Sequence, residues 1–137
     1  GPLVICPAHP DVEREFAGLG DIVILEDETK IRVLSVTSAT MSTYFTYQNT
    51  IIDWTIANGI NPDTASKYVR SLLEGLAIEG QAATQAELPH LPVEHETPGG
   101  LNFRNRTGLQ EQGWFTDLYD RLQDTYTNAD LKAKPKE

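Results

Sequence analysis

The spacing of apolar positions along this chain changes once, near residue 27. Leu3-Val4-Ile5-Cys6 is a short apolar run stopped by Pro7 and reads as a strand. Pro10 and Asp11 open a short helix with Val12, Phe16 and Leu19 at helical spacing, and Gly18 and Gly20 end it. Asp21-Ile22-Val23-Ile24-Leu25-Glu26, apolar and β-branched, is the clearest strand. Residues 1–26 therefore read strand–helix–strand. Two short strands need a wider sheet to join, so this segment is expected to be the residual end of an upstream Rossmann-type α/β domain.

From Asp27 the period is helical, and residues 27–130 are expected to form one helical domain. Asp27-Glu28-Thr29-Lys30 puts acidic residues in a first turn. Ile31, Leu34, Phe45, Ile52 and Ile56 then carry a single helical segment to Asn58-Gly59, a good left-handed stop. Its middle, Ser35 to Thr43, is rich in small and hydroxyl residues, which are mediocre helix formers. Small residues let another backbone or a ligand come close. Tight helix packing and a pocket-lining face are both open, and the two are compatible.

Asn61-Pro62-Asp63 supplies a cap and a proline at the first position of the next helix. Its broad stripe of Ala65, Tyr68, Val69, Leu72, Leu73 and Leu76 exceeds what a small monomer needs to cover, which points to an oligomer. Glu87 to His95 reads as a loop. In Thr97-Pro98-Gly99-Gly100, Thr97 is expected to cap a helix that Pro98 begins and that runs to about Gln112-Gly113. Phe115, Leu118, Tyr119, Leu122 and Tyr126 trace one face of a last helix, and 131–137 is a charged tail.

The helix start at Thr97 is the one piece of candidate chemistry. Gly99 and Gly100 keep side chains away, so backbone N–H groups lie open beside Thr and Asn side chains, ready for a carboxylate or phosphate. A bare turn that merely begins a helix is the competing reading. No metal site is expected. His90 and His95 lie five apart on a proline-broken segment with no further Cys or His to support them. Gly-rich phosphate loops, nucleophile elbows, CxxC pairs and H-E-x-x-H helices are missing from the sequence.

Composition narrows the classes. The 137 residues fit one domain with a core, and a net charge of −9 argues against a nucleic-acid partner. No apolar run approaches the roughly 20 residues that cross a bilayer, and the N-terminus has no secretory pattern. A lone cysteine, Cys6, suits a reducing cytoplasm. The chain lacks a starting Met, and we expect it to be a piece of something longer.

The order of these features resembles the C-terminal half of pyrroline-5-carboxylate reductase and its close relatives. The shared features are the hydroxyl-rich helix, the helix opening with Asn61-Pro62, Ala86-Glu87-Leu88, Thr97-Pro98-Gly99-Gly100, and Gly113-Trp114-Phe115 heading a last helix. The resemblance covers roughly Val12 to Tyr126 and is most specific over Glu96 to Phe115. It implies a mainly α fold, a helical dimerisation domain of the 6-phosphogluconate dehydrogenase C-terminal-like type. It implies a homodimer through the long helices, with NADP or NAD in the full-length protein and no cofactor bound by this fragment alone.

Carried over by position, Thr97 matches the family's hydroxyl residue ahead of Pro-Gly-Gly. The backbone N–H groups of Gly100, Leu101 and Asn102, beside Gly99, match those that hold the substrate carboxylate. Ser35 falls near the family's Thr at the start of the long helix, close to the reacting imine and nicotinamide, and Ser35 or Thr40 is the hydroxyl that would orient the imine. One departure is large. The family's Ser-Gly-Ser-Gly-Pro-Ala-[Tyr/Phe] signature stands here as Ser38-Ala39-Thr40-Met41-Ser42-Thr43-Tyr44, without its glycines and proline. Leu101, where the family has a small residue, departs in the same direction. The implied function is hydride transfer from NAD(P)H to a cyclic imino acid in proline biosynthesis, with this fragment inactive alone. The alternatives are a diverged non-catalytic helical dimer module and an NADP-dependent reductase of another small imino or keto acid.

Overall fold

The computed structural model describes residues 1–128, so the charged tail at 131–137 lies outside the described residues. The chain is mainly α. Its elements are β1 (Leu3–Ile5), α1 (Pro10–Phe16), β2 (Ile22–Ile24), a 3-10 turn (Glu28–Lys30), α2 (Ile31–Ser38), α3 (Met41–Ala57), α4 (Pro62–Ala82), α5 (Leu91–Glu94), α6 (Leu101–Glu111) and α7 (Trp114–Asn128). Two units form: one from residues 1–40 with the described chain from Arg121 onward, the other from Met41 to Asp120.

In the first unit β1 and β2 pair in parallel, with Leu3 opposite Ile22 and Ile5 opposite Ile24. α1 connects them, so the expected strand–helix–strand is a βαβ turn of chain. Bonds from Leu3 N–H to the Asp21 carbonyl and from Leu25 N–H to the Ile5 carbonyl frame the pair at 2.8 and 2.9 Å. Asp27 accepts from the Thr29 N–H and hydroxyl at 2.9 and 2.6 Å, which opens the 3-10 turn and holds its carboxyl below the ordinary range. Arg32 Nη2 donates to the Tyr126 carbonyl at 2.6 Å, and its guanidinium lies 5.2 Å from the Tyr126 ring centre.

The single helix expected from Asp27 to Asn58 is broken. α2 stops at Ser38 and α3 starts at Met41. Hydroxyl bonds crowd the segment ahead of the break, although bonds of the same kind run through the continuous α3 and so do not by themselves account for it. Ser35, Thr37 and Ser38 donate to the carbonyls of Ile31, Val33 and Leu34, and Thr40 donates to that of Thr37. Such bonds compete for the carbonyls on which the helix depends. The backbone then tightens, with Ala39 and Thr40 N–H groups reaching back three residues to Val36 and Thr37.

In the second unit α3 packs against α4. Gly59, at φ +95°, makes the turn between them, and Asn61 accepts from Asp63 N–H at 3.0 Å to cap α4 ahead of Pro62. Ala65 and Val69, one turn apart, are 0 and 1 % exposed. Of the remaining stripe, Leu73 is half-buried, while Tyr68, Leu72 and Leu76 are exposed. The expected loop at Glu87–His95 contains a helical turn, α5, because Pro92 sits early in it, where no N–H is required. α6 and α7 follow, separated by Gly113 at φ +82°, with α6 starting later than expected. Among the described residues no helix is long and apolar enough to cross a membrane.

Candidate functional site

Thr97, Pro98, Gly99 and Gly100 form a β-turn closed by the Gly100 N–H and the Thr97 carbonyl at 2.8 Å. Pro98 takes the second position and Gly99 the third, at φ +69°, the type II pattern. α6 begins only at Leu101, with Gly100 as its cap residue and no side-chain cap bond. Two expectations are thereby corrected: Thr97 does not cap the helix, and Pro98 does not start it. Pro followed by a left-handed Gly satisfies a turn better than a first helical turn, so the helix begins later.

The amides divide accordingly. Gly100 N–H is engaged within the turn. The first bond of α6 runs from Arg104 N–H to the Gly100 carbonyl at 3.0 Å, so the N–H groups of Leu101, Asn102 and Phe103 lie ahead of the helical ladder. Gly99 is needed for its backbone conformation, with open space around it. Gly100 is needed for closeness: a Cβ there would collide with the Thr97 hydroxyl oxygen and lie 3.0 Å from the Thr97 carbonyl oxygen.

Side chains from α6 grip this turn. Asn102 Nδ2 donates to the His95 carbonyl and Arg104 Nε to the Gly99 carbonyl, both at 2.8 Å. Arg106 meets Glu96 through two bonds, Nε to Oε1 at 2.5 Å and Nη2 to Oε2 at 3.0 Å, while its Nη1 donates to Gln110 Oε1 at 3.2 Å. The Glu96 side chain is only 7 % exposed. Arg106 holds its carboxyl below the usual carboxylate range, and Glu96 in turn raises Arg106. His95 Nε2 lies 3.1 Å from Glu79 Oε2 on α4.

The sign of the pH effect follows from the lowered Glu96 value. A carboxyl held lower when folded adds stability that is present above its unfolded pKa and lost as pH falls through the folded one. We therefore expect the turn to be fully ordered at neutral pH and to loosen only below the ordinary glutamate range, about pH 4.3. Amide exchange at Gly100, followed from pH 7 downward, checks this. Loosening near pH 6 would assign the control to another group.

The structure gathers Thr97, Gly99, Gly100, Leu101 and Asn102 into one turn of the second unit. Ser35 and Thr40 lie in the first unit, their hydroxyl protons engaged by the carbonyls of Ile31 and Thr37. His90 precedes α5 and makes no side-chain cap bond. Sequence reading missed Glu96 and Arg106, because ten residues and a turn separate them, beyond any helical-face rule.

A groove of about 540 Å³ lies within the second unit, lined among others by Ser42, Thr46, Tyr47, Asn105, Leu109 and Trp114. Thr46 and Thr50 donate their hydroxyl protons to the carbonyls of Ser42 and Thr46 at 2.9 and 2.8 Å. Tyr47 and Trp114 stand 6.3 Å apart between ring centres, and Trp114 meets Phe115 edge-on at 5.0 Å.

No family model matches the chain, and no curated protein matches it. Among solved structures it is similar to Plasmodium falciparum pyrroline carboxylate reductase with NADP bound, at a TM-score of 0.71 and 16 % identity. The match covers 87 % of this chain and 47 % of the reductase chain, so the chain spans about half the length of the protein it matches. At that identity the likeness establishes the fold: this is the mainly α architecture found in that part of the reductase.

Proposed function

We propose that this chain is the substrate-binding and dimerisation half of an NAD(P)H-dependent reductase acting on the C=N bond of a small cyclic imino acid. The observation that carries the reading is the turn Thr97–Gly100 delivering the Leu101 and Asn102 N–H groups, ahead of the helical ladder, at the start of an 11-residue helix. The likeness in fold to a pyrroline carboxylate reductase supports it. Residues 1–26 would close an upstream Rossmann-type domain, and 27–130 would be the helical domain.

In this reading Leu101 and Asn102 donate to the substrate carboxylate, with the dipole of α6 behind them and the Thr97 hydroxyl beside them. That fixes the ring without further chemistry. The resemblance alone assigns Ser35 or Thr40 to orient a protonated imine through a hydroxyl lone pair. A dinucleotide would supply the hydride when bound. The connection from β1 to α1, Cys6-Pro7-Ala8-His9, contains no glycine and so is not the Gly-rich pyrophosphate turn.

Dimerisation is supported by the faces left uncovered. On α3, Phe45 and Trp54 are 57 and 67 % exposed, and on α4, Tyr68 and Ile78 are 67 and 62 % exposed. Patches of large apolar side chains on this scale mark protein interfaces. A second reading, a non-catalytic dimer module, is favoured by Met41, which is 64 % exposed where the resembled signature has a glycine.

The test is a titration of the isotopically labelled chain with pyrroline-5-carboxylate, followed by amide chemical shifts. The expected result is saturable shifts centred on Leu101 and Asn102, with no oxidation of added NADPH. If those two amides stay still while the fold is intact, the carboxylate assignment fails.

A further inference from the structure

We propose that Glu96 and Arg106 are a positioning pair that sets the Thr97–Gly100 turn and, through it, the direction of the Leu101 and Asn102 N–H groups. The purpose of the pair rests on the carboxylate reading above; its geometry does not.

Glu96 stands immediately before the turn, and Arg106 lies in the body of α6, past the turn's other end. Two parallel bonds between a planar guanidinium and a carboxylate fix both separation and orientation, which a single bond leaves free. The pair therefore spans the whole turn. Arg104 holds one carbonyl inside the turn and Asn102 reaches across it to the His95 carbonyl, each through one bond rather than two.

The pair is also sheltered. The Glu96 side chain is 7 % exposed and that of Arg106 32 %, whereas Arg14 and Asp11 on α1 form a pair exposed on both sides at 76 and 78 %. Exposed pairs of that kind contribute little order. A sheltered carboxylate that loses its cation is left uncompensated, so the chain around it must rearrange.

A second consequence is electrostatic. Glu96 adjoins Thr97, next to amides read as carboxylate donors, and an unpaired negative charge there would repel the incoming anion. Arg106 cancels that charge where it arises. Order and charge thus pull together.

The test uses the full 137-residue chain and measures amide exchange at Gly100, whose N–H closes the turn, beside Val69 in the α3–α4 core. For Arg106→Leu the expected result is exchange at Gly100 faster by about 10-fold with Val69 unchanged, the mark of a local opening. Arg106→Lys, which keeps the charge but not the paired bonds, should fall between the two, and it decides the matter if the leucine variant does not fold. Unchanged exchange at Gly100, or acceleration at Gly100 and Val69 in step, overturns the proposal. Titration of the same variants with pyrroline-5-carboxylate separates the two ideas. A wild-type chain that binds nothing counts against the carboxylate reading alone, whereas wild-type binding that Arg106→Leu leaves intact overturns the pair's role.

Discussion

Val69→Ala should lower the thermal midpoint by about 5 °C, and Ala65→Leu by a similar amount. Both sites lie one turn apart on α4, the helix that packs against α3, and are 1 and 0 % exposed. Removing two methyl groups from Val69 loses their transfer energy and leaves a hole that rigid helices only partly fill, about 2 kcal/mol together. Leucine at position 65 errs the other way. It forces three extra heavy atoms into a contact built for one methyl group, at about 1–3 kcal/mol. In a domain of this size each kcal/mol moves the midpoint by roughly 2–4 °C. Among the described residues, the buried hydrophobics besides these two are Ile5 and Val36, so little else stands behind the α3–α4 contact. Thermal melts followed by circular dichroism, with the exposed Glu74→Ala as a silent control, measure it. An unshifted melt for both variants would mean that the unit's stability lies elsewhere.

Gly100→Ala should weaken binding of pyrroline-5-carboxylate by 10-fold or more while the helices stay folded. Gly100 has an ordinary backbone conformation, φ −72° and ψ 178°, which alanine also adopts. The obstacle is contact. The new methyl meets the Thr97 hydroxyl and crowds the Thr97 carbonyl, so the turn has to open and the Leu101 and Asn102 amides swing away. A hydrogen bond to a charged group is worth about 1.5–3 kcal/mol, so misaligning even one costs at least an order of magnitude. Gly99→Ala is the useful contrast. It meets no neighbour but is held at φ +69°, a strain of about 1–2 kcal/mol that falls on stability before it falls on binding. Thr97→Gly combined with Gly100→Ala relieves the collision and should recover part of the affinity. Calorimetric titration of the four proteins reads the pattern directly, and equal affinities for wild type and Gly100→Ala would remove the turn from the binding site.

Much of the fold was readable because local chemistry and final structure agree. Asn61-Pro62 caps and starts α4, the β-branched run at Ile22–Ile24 is a strand, and glycines stand at the turns before α4 and α7. Reading failed where local interactions compete. Between Ser35 and Thr40 the apolar period runs on unbroken, yet the helix divides between Ser38 and Met41. At Thr97-Pro98 two grammars fit the same residues, a capped helix and a type II turn, and only the φ of Gly99 chooses between them. The turn residues were therefore named from sequence but assigned the wrong local geometry. Glu96–Arg106 was invisible for a different reason. It is a contact made by the turn, so it exists only after the turn has formed.

The back-bonded threonines of α3 have a chemical consequence of their own. Thr46, Thr50 and Thr55 each give their hydroxyl proton to the carbonyl four residues earlier, at 2.7 to 2.9 Å. A threonine in that state has little left to offer water or a partner except a lone pair and a methyl group, and its outer surface comes close to that of valine. Scales that score every threonine as polar will therefore understate how oily this helix is. The chain's mean hydropathy of −0.35 carries the same bias, with part of its greasiness filed under polar letters.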